Sequence, residues 1–132
     1  MQQSLSAATF EFLAERHLAT LTTLRVNGSP HVVPVGFTYD SDLGVVRVIT
    51  FAAAAKAVHA SAGRRAAVCQ VDGRRWLTFE GASRVSSDPR DVAEAVAAYA
   101  VRYRQPKLRD DRVVVQIDVD KVLSNASLKT TP

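Results

Sequence analysis

The sequence predicts a mainly β fold: an antiparallel barrel of six strands, with only short helices. Three observations lead to this. β-rich apolar runs recur along the chain with short connections between them. Asn27-Gly28 and Asp72-Gly73 each separate two such runs, and these dipeptides favour tight hairpin turns. Helical periodicity is confined to a few short stretches. Strands joined by hairpins rather than crossover helices form antiparallel sheets, and about six of them close, or nearly close, into a barrel. A barrel of this size fills its interior with its own side chains. A ligand must then bind on the outside, where a second copy of the chain would be the natural cover.

A helix is expected over about residues 6–16, with Ser6 as N-cap and Phe10, Leu13 and Ala14 at helical spacing. The barrel strands occupy about residues 18–85. Leu18 to Leu24 is the first, and its hairpin partner begins near His31 and continues through Tyr39. Pro34 lies inside that second strand and cannot donate a ladder hydrogen bond, so the strand is an edge or is bulged. Gly36 lets a neighbour approach the backbone closely. Asp40 to Gly44 forms a turn and Val45 to Phe51 the third strand. The alanines at 52–55 then lead into a short helix bearing Lys56, Val58 and His59, stopped by Gly63. Ala66 to Val71 and Trp76 to Val85 are the fourth and fifth strands.

Asp88 and Pro89 start a helix running to about Arg104, with the aspartate as N-cap and proline in the first turn. Val92, Val96, Tyr99 and Tyr103 share one face of it, and Pro106 ends the segment. Arg112 to Leu123 is the last strand, and Asn125 to Pro132 reads as a tail. The 132 residues are expected to form one domain.

Composition narrows the function classes. The chain is 47% hydrophobic and 23% charged, with a formal charge of +4. Its arginines are scattered among acids, without the concentrated basic stripe and interleaved aromatics of a nucleic-acid face, so a small polyanion suits the charge better. No apolar run is long enough to span a membrane, the mixed amino terminus is unlike a secretory leader, and a cytoplasmic location is expected. The single cysteine, Cys69, reads as a small core residue. His17, His31 and His59 are too dispersed for a metal motif. No GxSxG or cysteine–histidine pairing supports a nucleophilic mechanism.

Chemistry concentrates around Thr50 and Lys56. A hydroxyl at the end of a strand, a cation six residues on and only small residues between them would let backbone amides approach a phosphate. The alternative is an exposed lysine on a solvated helix. No Walker motif is present. His59, three residues from Lys56, is either a further ligand contact or a helix surface residue. Trp76, beside Arg74 and Arg75, would either stack on a planar ligand or serve as an aromatic contact between subunits.

LATLTTLRVNGSPHVVPVGFTYD, then VVRVITFAAAAKAV, then RRAAVCQVDGRRWLTFEGASRV and a late helix, together resemble the pyridoxamine-phosphate-oxidase-like split barrels, in order and spacing over Leu18 to Leu123. Within them, RHLATLTTLR, SPHVV, VGFT, KAV, QVDG, RWL and RYR with the proline after it look most similar to actinobacterial F420-dependent biliverdin reductases. The resemblance implies a split barrel of the FMN-binding type and a homodimer with cofactor at the interface. It also implies a hydride transfer from reduced coenzyme F420 to a planar acceptor, biliverdin in the most specific case, with an FMN-binding reductase or oxidase, or a non-catalytic binding protein, as alternatives. The cofactor residues it implies are Val33, Pro34, Val35, Gly36, Thr50, Phe51, Ala55, Lys56, His59, Gln70 and Trp76. Thr50 and Lys56 fall at the phosphate and Val33 to Gly36 along the ring. Gln70 and Trp76 lie on approaching strands, from either subunit.

One departure concerns the cofactor. Flavin-using oxidases of this fold usually carry an arginine just before the phosphate lysine, and here that position is Ala55. One fewer cation suits the singly charged phosphodiester of F420 better than the phosphomonoester of FMN. After Val113 the chain has neither histidine nor arginine, which argues against oxidation of pyridoxamine phosphate.

Overall fold

The computed structural model describes residues 4–129. Its elements are α1 (Ala7–Ala14), β1 (Ala19–Leu24), β2 (Pro30–Val35), β3 (Thr38–Asp40), β4 (Val45–Phe51), α2 (Ala55–Ala60), β5 (Arg65–Asp72), β6 (Arg75–Ser86), α3 (Pro89–Arg102) and β7 (Arg112–Ser124). A 3-10 turn follows at Ala126–Leu128.

All seven strands belong to one antiparallel sheet in the order β2-β1-β5-β6-β7-β4-β3. β2 and β3 lie at its two ends, yet only Gly36 and Phe37 separate them along the chain. The sheet is thus rolled into a split barrel, with no ladder between its first and last strands. This corrects the expectation of six strands with an unbroken run from His31 to Tyr39. Pro34 still pairs with Thr20, but Gly36 and Phe37 leave the ladder, and Thr38 to Asp40 pair instead with β4. The physical reason is packing at the glycine: a Cβ on Gly36 would stand 3.1 Å from the rings of both Tyr99 and Tyr103. The expectation that β2 is an edge holds, because it pairs with β1 alone.

The interior is apolar. Phe12, Leu21, Phe37, Val46, Val48, Val68, Phe79, Val115 and Ile117 are almost fully buried, each contributing about 1.5–3 kcal/mol of burial free energy. β6 and β7 form the longest ladder, and their register skips Asp120 between the pairs Glu80–Lys121 and Gly81–Val119. That bulge bends the two strands around the core.

Both ends differ from expectation. α1 stops at Ala14, because Glu15 is extended and its carboxylate turns to Arg75 at 2.7 and 2.8 Å. The segment after Asn125 is docked as far as Leu128, whose side chain is buried and whose carbonyl accepts from the hydroxyls of Ser6 at 2.6 Å and Thr9 at 2.9 Å. The rest of the expected tail, residues 130–132, lies outside the described residues. Among the described residues no helix is long and apolar enough to cross a membrane.

Candidate cofactor cleft

The end of β4 lies beside the start of β7, with Thr50 opposite Val113 and Phe51 opposite Arg112. The Ala52 amide donates to the carbonyl of Asp111 at 2.9 Å, which fixes the alanine bend against the loop before β7. α2 then starts at Ala55 with Ala54 as its N-cap, where no side chain caps the helix. Methyl groups alone crowd this bend, and Lys56 emerges in the first turn.

These segments border a cleft of about 310 Å³, lined by Pro34, Val35, Gly36, Val48, Ile49, Thr50, Phe51, Lys56, Tyr99, Pro106, Arg109 and Arg112. Six of the eleven residues singled out from the sequence meet here: Pro34, Val35, Gly36, Thr50, Phe51 and Lys56. They come from two strands far apart in the ladder order and from a helix start. Among the described residues neither the Thr50 hydroxyl nor the Lys56 ammonium has a partner. A hydroxyl donor and a free cation, in a cleft also lined by the Pro34–Gly36 backbone, suit a planar ligand carrying an anion.

The other five stand elsewhere. Val33 turns its side chain against the core, so the cleft wall begins one residue later, at Pro34. Ala55 is exposed at the head of α2 and is not among the lining residues. His59 is not among the lining residues either and stands 2.9 Å from the Thr23 hydroxyl and edge-on to His31 at 5.0 Å between ring centres. Burial, and then the positive neighbours His31, Arg25 and Arg64, hold its pKa below the usual histidine range.

Gln70 is a correction. Its amide is fully buried, donating to the Phe12 carbonyl at 3.0 Å and accepting from Arg102. The β5 register with Ala19 turns it inward, so it fastens the interior rather than touching a ligand. Trp76 is partly exposed on the outer sheet surface opposite Val71, outside the cleft of its own chain.

Sequence reasoning missed Tyr99, Arg109 and Arg112. Tyr99, on the α3 face shared with Val92, Val96 and Tyr103, packs on Gly36 and also lines the cleft. The arginines belong to the LRDDR segment, where alternating charges look like solvated surface. Only the β4–β7 register brings them beside Phe51. Arg109 lies over the Phe51 ring at 4.3 Å and is paired with Asp111 at 2.8 and 3.0 Å. The Arg112 guanidinium donates to the Lys107 carbonyl. The cleft thus holds more positive charge than the alanine at position 55 suggests.

A second polar cluster gathers Glu15, His17 and Asp72 within 4.8 Å of one another. Arg75 already bonds both carboxylates, so the cluster forms an ion-pair network joining α1 to the β5–β6 hairpin.

Comparison with known proteins agrees with this architecture. The chain is 48% identical over 124 residues to the F420H(2)-dependent biliverdin reductase of Mycobacterium tuberculosis (strain CDC 1551 / Oshkosh), a match covering 94% of this chain and 90% of that protein. Among solved structures, the conserved hypothetical protein Rv2991 from Mycobacterium tuberculosis superposes with a TM-score of 0.76 at 22% identity, over 94% of this chain and 88% of the other. A protein described as an F420 reductase superposes with a TM-score of 0.70, also at 22% identity, over 86% of this chain and 94% of its own. These two structures establish the shared fold. The family profile described as pyridoxamine 5'-phosphate oxidase matches residues 5–126, and the chain belongs to that family.

Proposed function

We propose that this protein is a reductase that uses coenzyme F420, held in the cleft between the ends of β2 and β4, and that biliverdin is its acceptor. The observation that carries the reading is the convergence of Pro34–Gly36, Thr50 and Lys56 on one cleft, joined to the 48% identity with a relative named for this activity.

The residues fit the group. Lys56 and Arg112 supply cations for its phosphodiester, and Thr50 offers a hydroxyl donor. The Pro34–Gly36 backbone lines the same cleft, where a planar ring could lie along it. The bound cofactor supplies a hydride from its reduced deazaflavin ring. The protein binds and orients: Phe51 and Tyr99 border the cleft with apolar surface, and the basic wall keeps anionic groups in register. Arg109, already engaged by Asp111, contributes more shape than charge.

A homodimer belongs to the same proposal. On the outer face of the β2-β1-β5-β6 sheet, Val32, Val71 and Trp76 are 55%, 59% and 37% exposed. Across the register, Pro34, Thr20, Cys69 and Thr78 form an uncharged row. Burying this face against a second copy would bring Trp76 into an interface. Sedimentation should give a particle of twice the chain mass, and a monomer at micromolar concentration would sink this part.

One observation favours a second reading, an FMN-binding enzyme: three cations line the cleft, and a phosphomonoester carries more charge than a phosphodiester. Fluorescence titration of the protein with F420 and with FMN separates the two. Saturable binding of F420 with weak FMN binding supports the proposal. The reverse preference replaces it with the flavin reading.

A further inference from the structure

Beyond the cleft, on the far side of Tyr99, a second hollow of about 380 Å³ is lined by Arg16, Leu18, Tyr99, Tyr103 and Arg104. Two helix ends build it. α1 finishes at Ala14 and delivers Arg16 two residues later, and α3 finishes at Arg102 and delivers Arg104. Both arginines are exposed, and among the described residues neither guanidinium has an ion-pair or hydrogen-bond partner. This sets them apart from Arg65, Arg75, Arg84 and Arg109, each of which is bonded to a carboxylate. Two arginines without internal partners thus line one hollow together with two tyrosines.

The floor is rigid. The Tyr103 hydroxyl donates to the His17 carbonyl at 2.7 Å, and the Tyr99 and Tyr103 rings lie 4.9 Å apart. Tyr99 lines both the hollow and the cleft, so a planar molecule can lie across it with one part in each. Arginine presents parallel N–H donors that match a carboxylate in two-point contact.

We propose that the Arg16–Arg104 hollow is the subsite for a carboxylate of the acceptor, which is a planar molecule carrying acidic side arms. The inference rests on the reductase reading and extends it to the acceptor's position. Geometry favours the acceptor over the acidic tail of the cofactor. Tyr99 packs on Gly36, the wall assigned to the cofactor's ring, whereas the tail leaves from the phosphate, assigned to Thr50 and Lys56. The acceptor must meet the ring, and a side arm reaching past Tyr99 arrives between the two arginines.

The test uses biliverdin and its dimethyl ester, which keeps the ring system and removes both carboxylate charges. Their binding to the full chain loaded with oxidised F420 is followed by absorbance, so no turnover is needed. Wild type should bind the free acid more tightly than the ester. Arg16→Gln and Arg104→Gln should each weaken binding of the acid roughly three- to ten-fold, in line with exposed to half-buried charge-assisted contacts. The double variant should bind acid and ester alike. Affinity for F420 and the melting temperature should stay at wild-type values, because both side chains are exposed and unbonded. Equal binding of acid and ester by wild type overturns the inference, as does a double variant that still prefers the acid. Weakened F420 binding in these variants also overturns it, by giving the hollow to the cofactor's tail. In each of those cases the reductase reading stands. Failure of wild type to bind F420 removes the reductase reading, and this inference with it.

Discussion

Arg102 donates through Nη1 to the carbonyl oxygen of Phe37 at 2.7 Å. That bond ties the end of α3 to the two-residue link at which the rolled sheet passes from β2 to β3. The same guanidinium donates to the Glu15 carbonyl at 3.0 Å and to the Gln70 side chain. It also lies over the rings of Phe37 and Tyr103 at 4.8 and 5.1 Å. No carboxylate neutralises it among the described residues, and burial lowers its pKa below the usual arginine range. Neutral oxygens and aromatic faces hold a buried charge at the hinge of the barrel.

Arg102→Ala should therefore cost about 3–5 kcal/mol of unfolding free energy, since three acceptors lose their donor together. Arg102→Lys keeps the charge without the fork and should cost about 1–3 kcal/mol. Urea titration checks both, and a lysine variant as stable as wild type would show that charge alone suffices.

Glycine substitutions at two positions should separate fold from cleft. A Cβ at Gly81 would fall 1.8 Å from the Asp118 carbonyl oxygen, at the bulge between β6 and β7. Backbone cannot yield there, so Gly81→Ala should lose more than about 3 kcal/mol or fail to accumulate as folded protein. At Gly36 the obstacles are Tyr99 and Tyr103 ring atoms near 3.1 Å, which can shift by a few tenths of an ångström. Gly36→Ala should fold with a loss of about 1–2 kcal/mol and bind F420 more weakly than wild type. Circular dichroism melts and the same F420 titration read the two effects separately.

The ion-pair network at Glu15 makes stability depend on acid. Hydrogen bonds from Arg75 first, then from His17, lower the Glu15 pKa from 4.5 to about 2. The unfolded chain therefore takes up that proton at a higher pH than the folded chain does. The contribution is fully present above about pH 4.5 and is lost progressively as pH falls towards 2. Glu15→Gln should lower the melting temperature at neutral pH and flatten the profile across that window, so that variant and wild type converge towards pH 2. Because the pair is partly exposed, 1 M salt should shrink the difference. A variant with the same acid slope as wild type would assign that slope to other carboxylates.

Much of this architecture could be read in the sequence because its signals are local. Asn27-Gly28 and Asp72-Gly73 mark their hairpins, both glycines at positive φ, and Asp88-Pro89 opens α3 with the aspartate accepting from the Arg90 amide. Lys56 was legible for the same reason, as a cation after a bend of small residues. What escaped depends on register between distant strands. Gln70 reads as an alternating polar residue until its pairing with Ala19 turns it inward. Arg109 and Arg112 read as solvated charge until β7 is laid along β4. The break at Gly36 and Phe37 is set by α3, more than sixty residues away, and no property of HVVPVGFTYD alone reveals it.

The three cations of the cleft should contribute unequally to binding, and the ranking tests which of them meets the anion. Lys56 has no partner among the described residues, Arg112 is bonded to a backbone carbonyl, and Arg109 is bonded to Asp111. An ammonium with no internal partner gives up no protein contact on meeting a phosphate, whereas Arg109 must share its charge with a carboxylate. A charge-assisted contact is worth about 1.5–3 kcal/mol, so Lys56→Ala should weaken F420 binding roughly 10- to 150-fold. Arg112→Gln should have a smaller effect and Arg109→Gln the smallest. On the proposed reading the lysine would meet a part of the cofactor remote from the reacting ring, so the turnover rate at saturating cofactor should change much less than the affinity. A Lys56→Ala protein with undiminished affinity would move the anion to the arginines on the β7 side of the cleft.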